Sequence, residues 1–262
     1  MGIKLAIIGG TGVYKPEMFD ELQTFELETI YGRALLSTGK YNGVEAAFLA
    51  RHGTKHGTPP HKINYRANIA AIVKLGIKRV IATAAVGSLN QEMPPGSLVL
   101  LTQFLDFTKT RNSTFFDGGG AGVVHTDFTE PYCPDLNRLL LQAAGQIDIK
   151  LLHGGVYVCT EGPRFETPAE IKAYKLLGGD LVGMTNVPEV VLAREAGLCY
   201  STVALSTNFA AGISSDKLSH SEVLDVMSQN IDSVRRLLME FIDMPDQSGR
   251  CCCAEIGSKI VV

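Results

Sequence analysis

The stretch VCTEGPRFETPAEIKAYKLLGGDLVGMTNVPE, Val158 to Glu189, holds two passages from an apolar run into a helix start. Val156 to Cys159 reads as the end of a buried strand. Thr167-Pro-Ala-Glu170 has the form of a capping box with proline at the first helical position, which predicts a helix from about Pro168. Glu166 then falls on the loop just before the cap, where its carboxylate can face a ligand. A second strand, Asp180 to Met184, delivers Met184, Thr185 and Asn186 ahead of another proline-started helix at Pro188-Glu189. Two strand-to-helix loops that converge in this way are how ligand crevices form in open α/β sheets.

Upstream, Lys4 to Ile8 is a continuous apolar run that enters Gly9-Gly10-Thr11-Gly12, a buried strand followed by a glycine turn. Such a turn lets backbone N–H groups approach an oxyanion, with Thr11 as an added donor. A plain tight turn fits these four residues as well. Residues 20 to 45 read as antiparallel strands at a sheet edge. Glu45 to Ala50 is a further strand, and it ends in the basic loop Arg51-His52-Gly53-Thr54-Lys55-His56-Gly57. Arg51 offers a fork of donors suited to phosphate, and His52 and Thr54 add donors beside it. A solvated basic loop is the alternative.

Further along, the pattern predicts a helix over Asn64 to Leu75 that stops at Gly76, strands at Arg79 to Ala85 and Ser97 to Phe104, and a long loop over Asp106 to Val124 with His125 at its end. A helix at Pro134 to Ala144, a strand at Leu152 to Cys159 and, after the opening stretch, a helix at Pro188 to Ala196 and a strand at Cys199 to Leu205 complete the alternation. The last helix, about His220 to Met244, carries Met227, Ile231, Val234, Leu238 and Phe241 on one face. Strands alternating with helices predict an α/β sandwich.

The chain has 262 residues, 45% of them hydrophobic, with a formal net charge of -3. One domain over 1–245 with a mobile tail over 246–262 is the expected organisation. The charge argues against a nucleic-acid or membrane-surface role, so the expected partner is a small molecule. No run is long and apolar enough for a membrane span and no signal-peptide pattern is legible, which points to the cytosol. Cys133, Cys199 and Cys159 are scattered singly and read as free thiols. Cys251-Cys252-Cys253 has a metal or redox reading, but no ligand set flanks it at metal-finger spacing, and a tail segment is the simpler reading.

The motifs IIGGTG, LARHG, INYRANIAAI, ATAAVGSL, TEGPRFET, GMTNVPEVVLAREAG and HSEVL, in this order, resemble those of the trimeric purine nucleoside phosphorylases, including the methylthioadenosine phosphorylase branch. The resemblance runs from Leu5 to about Met244. It implies a three-layer α/β/α sandwich around a mixed, mostly buried sheet, and reversible phosphorolysis of a nucleoside to free base and ribose 1-phosphate. It implies no metal and no organic cofactor, and a homotrimer or a dimer of trimers. The phosphate would be held by Thr11, Arg51, His52, Ala85 and Thr185. Ala84 departs from the methylthioadenosine branch, which generally has a hydroxyl residue there, so that contact is expected to be either missing or reduced to a backbone donor. Met184 would back the ribose, His220 would meet the 5′-hydroxyl, and His125 would reach a neighbouring subunit's site. Phe165, Phe209 and Ala210 complete the substrate-binding set.

Glu166 and Asn208 match the pair with which the 6-oxopurine enzymes of this family read the base, and they are the residues expected to act in catalysis. An ionised carboxylate only accepts hydrogen bonds; a 6-oxopurine presents an N1–H donor, whereas adenine presents a bare acceptor. The expected activity is therefore phosphorolysis of inosine and guanosine. Methylthioinosine phosphorolysis, and behind it methylthioadenosine phosphorolysis, are the alternatives. A reductase using the GGTG turn lacks the acidic residue after a second strand. A noncatalytic nucleoside-binding module would bind without phosphate-dependent turnover.

Overall fold

Leu5–Gly9 (β1) is buried at every position and lies between Val44–Ala50 (β4) and Arg79–Ser88 (β5), parallel to both. The computed structural model describes residues 3, 5–10, 13, 18–53, 57–214, 220–245 and 251–262, with 220–224 as backbone only. Period-2 alternation splits β1 between two cores: Ala6 and Ile8 face one cluster, Leu5 and Ile7 the other. The first cluster is closed by Tyr65–Lys74 (α1) and Asn186–Glu195 (α4). The second is closed by Pro134–Gln146 (α2) and His220–Asp243 (α5). The expected layers, helices on both faces of a central sheet, are present.

The sheet is mixed and nine-stranded. Asp20–Thr29 (β2) and Gly32–Tyr41 (β3) form its antiparallel edge beside β4. Leu98–Phe107 (β6), Leu151–Thr160 (β7), Leu181–Gly183 (β8) and Cys199–Phe209 (β9) follow on the other side of β5. Because β9 pairs with β6 and again with β5, the strands β5, β8, β7, β6 and β9 close into a ring. Alternating strand signals do not reveal that closure, which depends on β9 joining two partners distant in sequence.

Local signals place the helices. Asn64 accepts from the Ala67 N–H at the start of α1. At Pro168–Leu176 (α3) the capping box is complete: Thr167 Oγ1 accepts from the Glu170 N–H at 3.2 Å and Glu170 Oε2 accepts from the Thr167 N–H at 2.8 Å. Val187 is non-helical, so the regular part of α4 begins at Pro188, as the proline suggests. On α5, Ile231, Val234, Leu238 and Phe241 are buried as their spacing predicts. No helix among the described residues is long and apolar enough to cross a membrane.

The tail is folded back where it is described. Cys253–Ile256 (α6) ends against the turn after α4, and the Ser258 N–H donates to the Glu195 carbonyl at 2.7 Å. Cys253 is buried.

Candidate active site

Strand register assembles the site. Gly9 pairs with Ala50, so Gly10 and Arg51 leave β1 and β4 side by side, and the Arg51 N–H donates to the Gly9 carbonyl at 3.1 Å. β1 pairs with β5 only as far as Ala82, which leaves Thr83, Ala84 and Ala85 to line the space beyond. β8, β9, the loop before α3, and Met227, Ile231 and Val234 of α5 supply most of the rest. Together they enclose a cavity of about 490 Å³, the size of a small-molecule site.

Most of the expected residues meet there. Arg51, His52, Ala84, Ala85, Phe165, Glu166, Met184, Thr185, Asn208 and Ala210 all line the cavity. Phe209 stands outside the lining and contributes its carbonyl, which accepts from Asn208 Nδ2 at 2.8 Å. His125 does not line its own chain's cavity. Thr11, Thr54, Lys55 and His56, together with the side chain of His220, lie outside the described residues.

Asn208 owes its aim to an irregular register. β9 and β5 pair evenly up to Ser206 and Val86, then resume at Asn208 and Gly87, so Thr207 is an extra residue. A bulge of this kind redirects the side chain that follows it. Thr207 Oγ1 donates to Asn208 Oδ1 at 2.9 Å, which fixes the amide with its Nδ2 group toward Phe209 and the cavity. A Cβ at Gly87 would stand 3.2 Å from Asn208 Nδ2, close enough to press on the amide.

Glu166 sits at the residue before the N-cap of α3, on a loop held at both ends. Arg164 forks onto Glu170 at 2.7 and 2.9 Å and holds that carboxyl down at about 2. Thr160 Oγ1 donates to Glu166 Oε1 at 2.6 Å. Burial raises the Glu166 carboxyl above its ordinary range, and the Thr160 hydroxyl opposes part of that rise.

Arg51 is engaged more deeply than its loop position suggests. Its Nε and Nη2 form a two-pronged pair with Glu189 at 2.7 and 2.8 Å, and Nη1 donates to the Thr83 carbonyl at 3.0 Å. Glu189 is fully buried and also accepts from the Tyr200 hydroxyl at 2.8 Å. The guanidinium retains one hydrogen on each terminal nitrogen for an occupant of the cavity. His52 donates from Nδ1 to the Thr58 carbonyl at 2.8 Å, which orients the ring. The Thr185 N–H donates to the Tyr157 hydroxyl at 3.2 Å, and the Thr185 side chain does not cap α4.

Two residues that hold the site together escape sequence reasoning. Glu189 stands on α4, 138 positions from its partner. Arg111, in the long loop after β6, donates to the carbonyls of Met184 and Val187 at 2.7 and 2.6 Å and to those of Thr160 and Glu161 at 3.0 and 2.8 Å. It therefore locks the loop carrying Met184 to the end of β7, and it stacks over the Tyr65 ring at 5.7 Å. The only sequence signal was the length of a polar loop inside a folded domain.

A buried arginine locked to Glu189, with a carboxylate and an amide lining the same cavity, defines an α/β protein with a site for a small polar ligand. The family model of the Phosphorylase superfamily matches residues 4–243, and the chain belongs to that family. It is 56% identical over 260 residues to a probable 6-oxopurine nucleoside phosphorylase of Moorella thermoacetica, covering 99% of this chain and 100% of that protein. It is 49% identical over 258 residues to the 6-oxopurine nucleoside phosphorylase of Pyrococcus furiosus, covering 96% and 97% of the two. Among solved structures, a methylthioadenosine phosphorylase from an antarctic soil metagenomic library superposes with a TM-score of 0.89 at 33% identity, over 100% of this chain and 93% of that one.

Proposed function

We propose that this protein is a purine nucleoside phosphorylase that cleaves 6-oxopurine nucleosides with inorganic phosphate. The observation that carries the reading is that Glu166 and Asn208 line the same cavity as Arg51 and Thr185. As the glycosidic bond breaks, positive charge builds on the ribose and negative charge on the purine. Phosphate, held by Arg51, His52, Thr185 and the backbone at Ala84 and Ala85, is the anion beneath the sugar and attacks its anomeric carbon. Asn208 donates to the departing base at N7, and ionised Glu166 accepts from N1–H. Met184 backs the ribose. His125 would act in a neighbouring subunit's cavity, which makes a trimer part of the proposal.

The alternative, a methylthioinosine phosphorylase, draws on the apolar wall that Val13, Met227, Ile231 and Val234 contribute to the same cavity. Both readings share Glu166 and Asn208 and differ at the sugar's 5′ end. Free-base release, measured with phosphate for inosine, guanosine, adenosine, methylthioadenosine and methylthioinosine, separates them. Preference for inosine and guanosine supports the first reading and preference for methylthioinosine the second. Tight inosine binding without phosphate-dependent release would defeat both.

Because burial raises the Glu166 carboxyl, acid should weaken inosine recognition at a pH above the ordinary carboxylate range. Thr160→Val removes a hydrogen bond to the ionised form, so Glu166 should rise further and the acid limb of kcat/KM for inosine should move up by about one to two pH units. An unmoved limb would show that Glu166 does not read the base as the ionised form.

A further inference from the structure

Four of the six cysteines converge at a point outside the cavity. Cys133 is the N-cap of α2, Cys199 opens β9, and Cys251 and Cys253 lie at the start of the described tail. The Cys133 N–H donates to the Tyr200 carbonyl at 2.8 Å, which sets the first two segments side by side. The sulfurs of Cys133, Cys199, Cys251 and Cys253 all lie within 4.8 Å of one another, the pair Cys199 and Cys251 at 3.1 Å. A regular tetrathiolate with metal–sulfur bonds of about 2.3 Å has sulfur–sulfur edges of about 3.8 Å, inside that spread. Cys252, between two members of the set, is exposed.

The surroundings suit thiolates. Arg194 directs Nη1 at Cys253 Sγ at 3.6 Å, and the Leu136 N–H donates to Cys133 Sγ at 3.4 Å. An all-sulfur donor set selects a soft, thiophilic divalent ion over magnesium or calcium, and four protein ligands leave no open position for substrate. We propose that Cys133, Cys199, Cys251 and Cys253 bind one zinc-class ion as a structural tetrathiolate centre that fastens the C-terminal segment to the core. On binding, four thiols release four protons and each sulfur donates a lone pair to the metal. Nothing is oxidised or reduced. The resulting doubly negative centre is half offset by Arg194. None of the four cysteines lines the phosphorylase cavity, so the ion has no part in phosphorolysis. What it holds is the contact of α6 and Ser258 with the end of α4, the helix that carries Glu189.

The test uses the untagged full-length chain, produced with zinc in the medium and purified anaerobically without chelator. Native mass spectrometry and metal analysis should find one zinc per chain. Chain stripped of metal should take up one Co²⁺ and develop the intense visible and thiolate charge-transfer bands of a tetrahedral all-sulfur site. Cys251→Ser/Cys253→Ser should lose both signals, and Cys252→Ser should keep them. Hydrogen exchange over Cys253–Ile256 should rise when the metal is stripped. A wild-type chain without stoichiometric zinc would overturn the proposal, whether its six cysteines titrate as free thiols or its mass is short by the hydrogens of disulfides. So would Co²⁺ uptake that yields only the weak absorption of oxygen or nitrogen ligands. These wild-type readings stand even if the double variant does not fold.

Discussion

Glu189→Ala should lose about 3–5 kcal/mol of stability, read as a fall in the urea midpoint with the slope unchanged. The cost comes from what is left behind. Arg51 has only 4% of its surface exposed, and without Glu189 its guanidinium would stay charged in a buried site with one carbonyl, that of Thr83, as partner. Tyr200 would lose the acceptor of its hydroxyl as well. Arg51→Ala should cost a similar amount, because it strands the Glu189 carboxylate, so that variant cannot by itself separate folding from phosphate binding. Arg51→Met with Glu189→Leu can. Removing both charges and filling the space with apolar atoms should recover most of the lost stability while phosphate-dependent turnover remains abolished. If the double variant kept a normal KM for phosphate, Arg51 would not be the phosphate ligand.

The same pair marks the limit of what the sequence discloses. Arg51 is legible because it follows a buried strand into a glycine loop, and Glu166 because a capping box fixes the residue in front of it. Both are local patterns. The partner that makes Arg51 rigid comes from a helix far along the chain, and the carbonyls gathered by Arg111 come from the end of β7 and from the segment between β8 and Pro188. No spacing rule links them. Asn208 is intermediate: its place after β9 is legible, but the bulge at Thr207 that turns it into the cavity depends on pairing with β5. The cysteines show the same limit, since Cys251 and Cys253 acquire neighbours only when β9 and the N-cap of α2 lie side by side.

Base choice should show the largest change in rate. The wild-type enzyme should cleave inosine and guanosine well and adenosine or methylthioadenosine poorly, because Glu166 and adenine N1 would meet as two acceptors. A dry site built for one hydrogen-bond pattern can reject the wrong one by about four orders of magnitude or more. Phe165 at the cavity wall is 45% exposed and water can enter beside it, so a preference of about two to three orders is expected here. Glu166→Ser should relieve the clash and also free the Thr160 hydroxyl. Asn208→Asp is subtler. Nδ2 now donates to the Phe209 carbonyl, and a carboxylate in its place would face that carbonyl as a second acceptor unless a proton lay between them. That contact favours the protonated acid, while Thr207 continues to donate to the other oxygen. Asn208→Asp alone should therefore slow inosine cleavage, and combined with Glu166→Ser it should move the pocket toward 6-aminopurines by more than the sum of the single changes, as both residues address one ring. Faster wild-type turnover of methylthioadenosine than of inosine under saturating phosphate would sink the role assigned to Glu166 and Asn208. It would leave the phosphate side of the cavity, built from β1, β4 and β5, untouched.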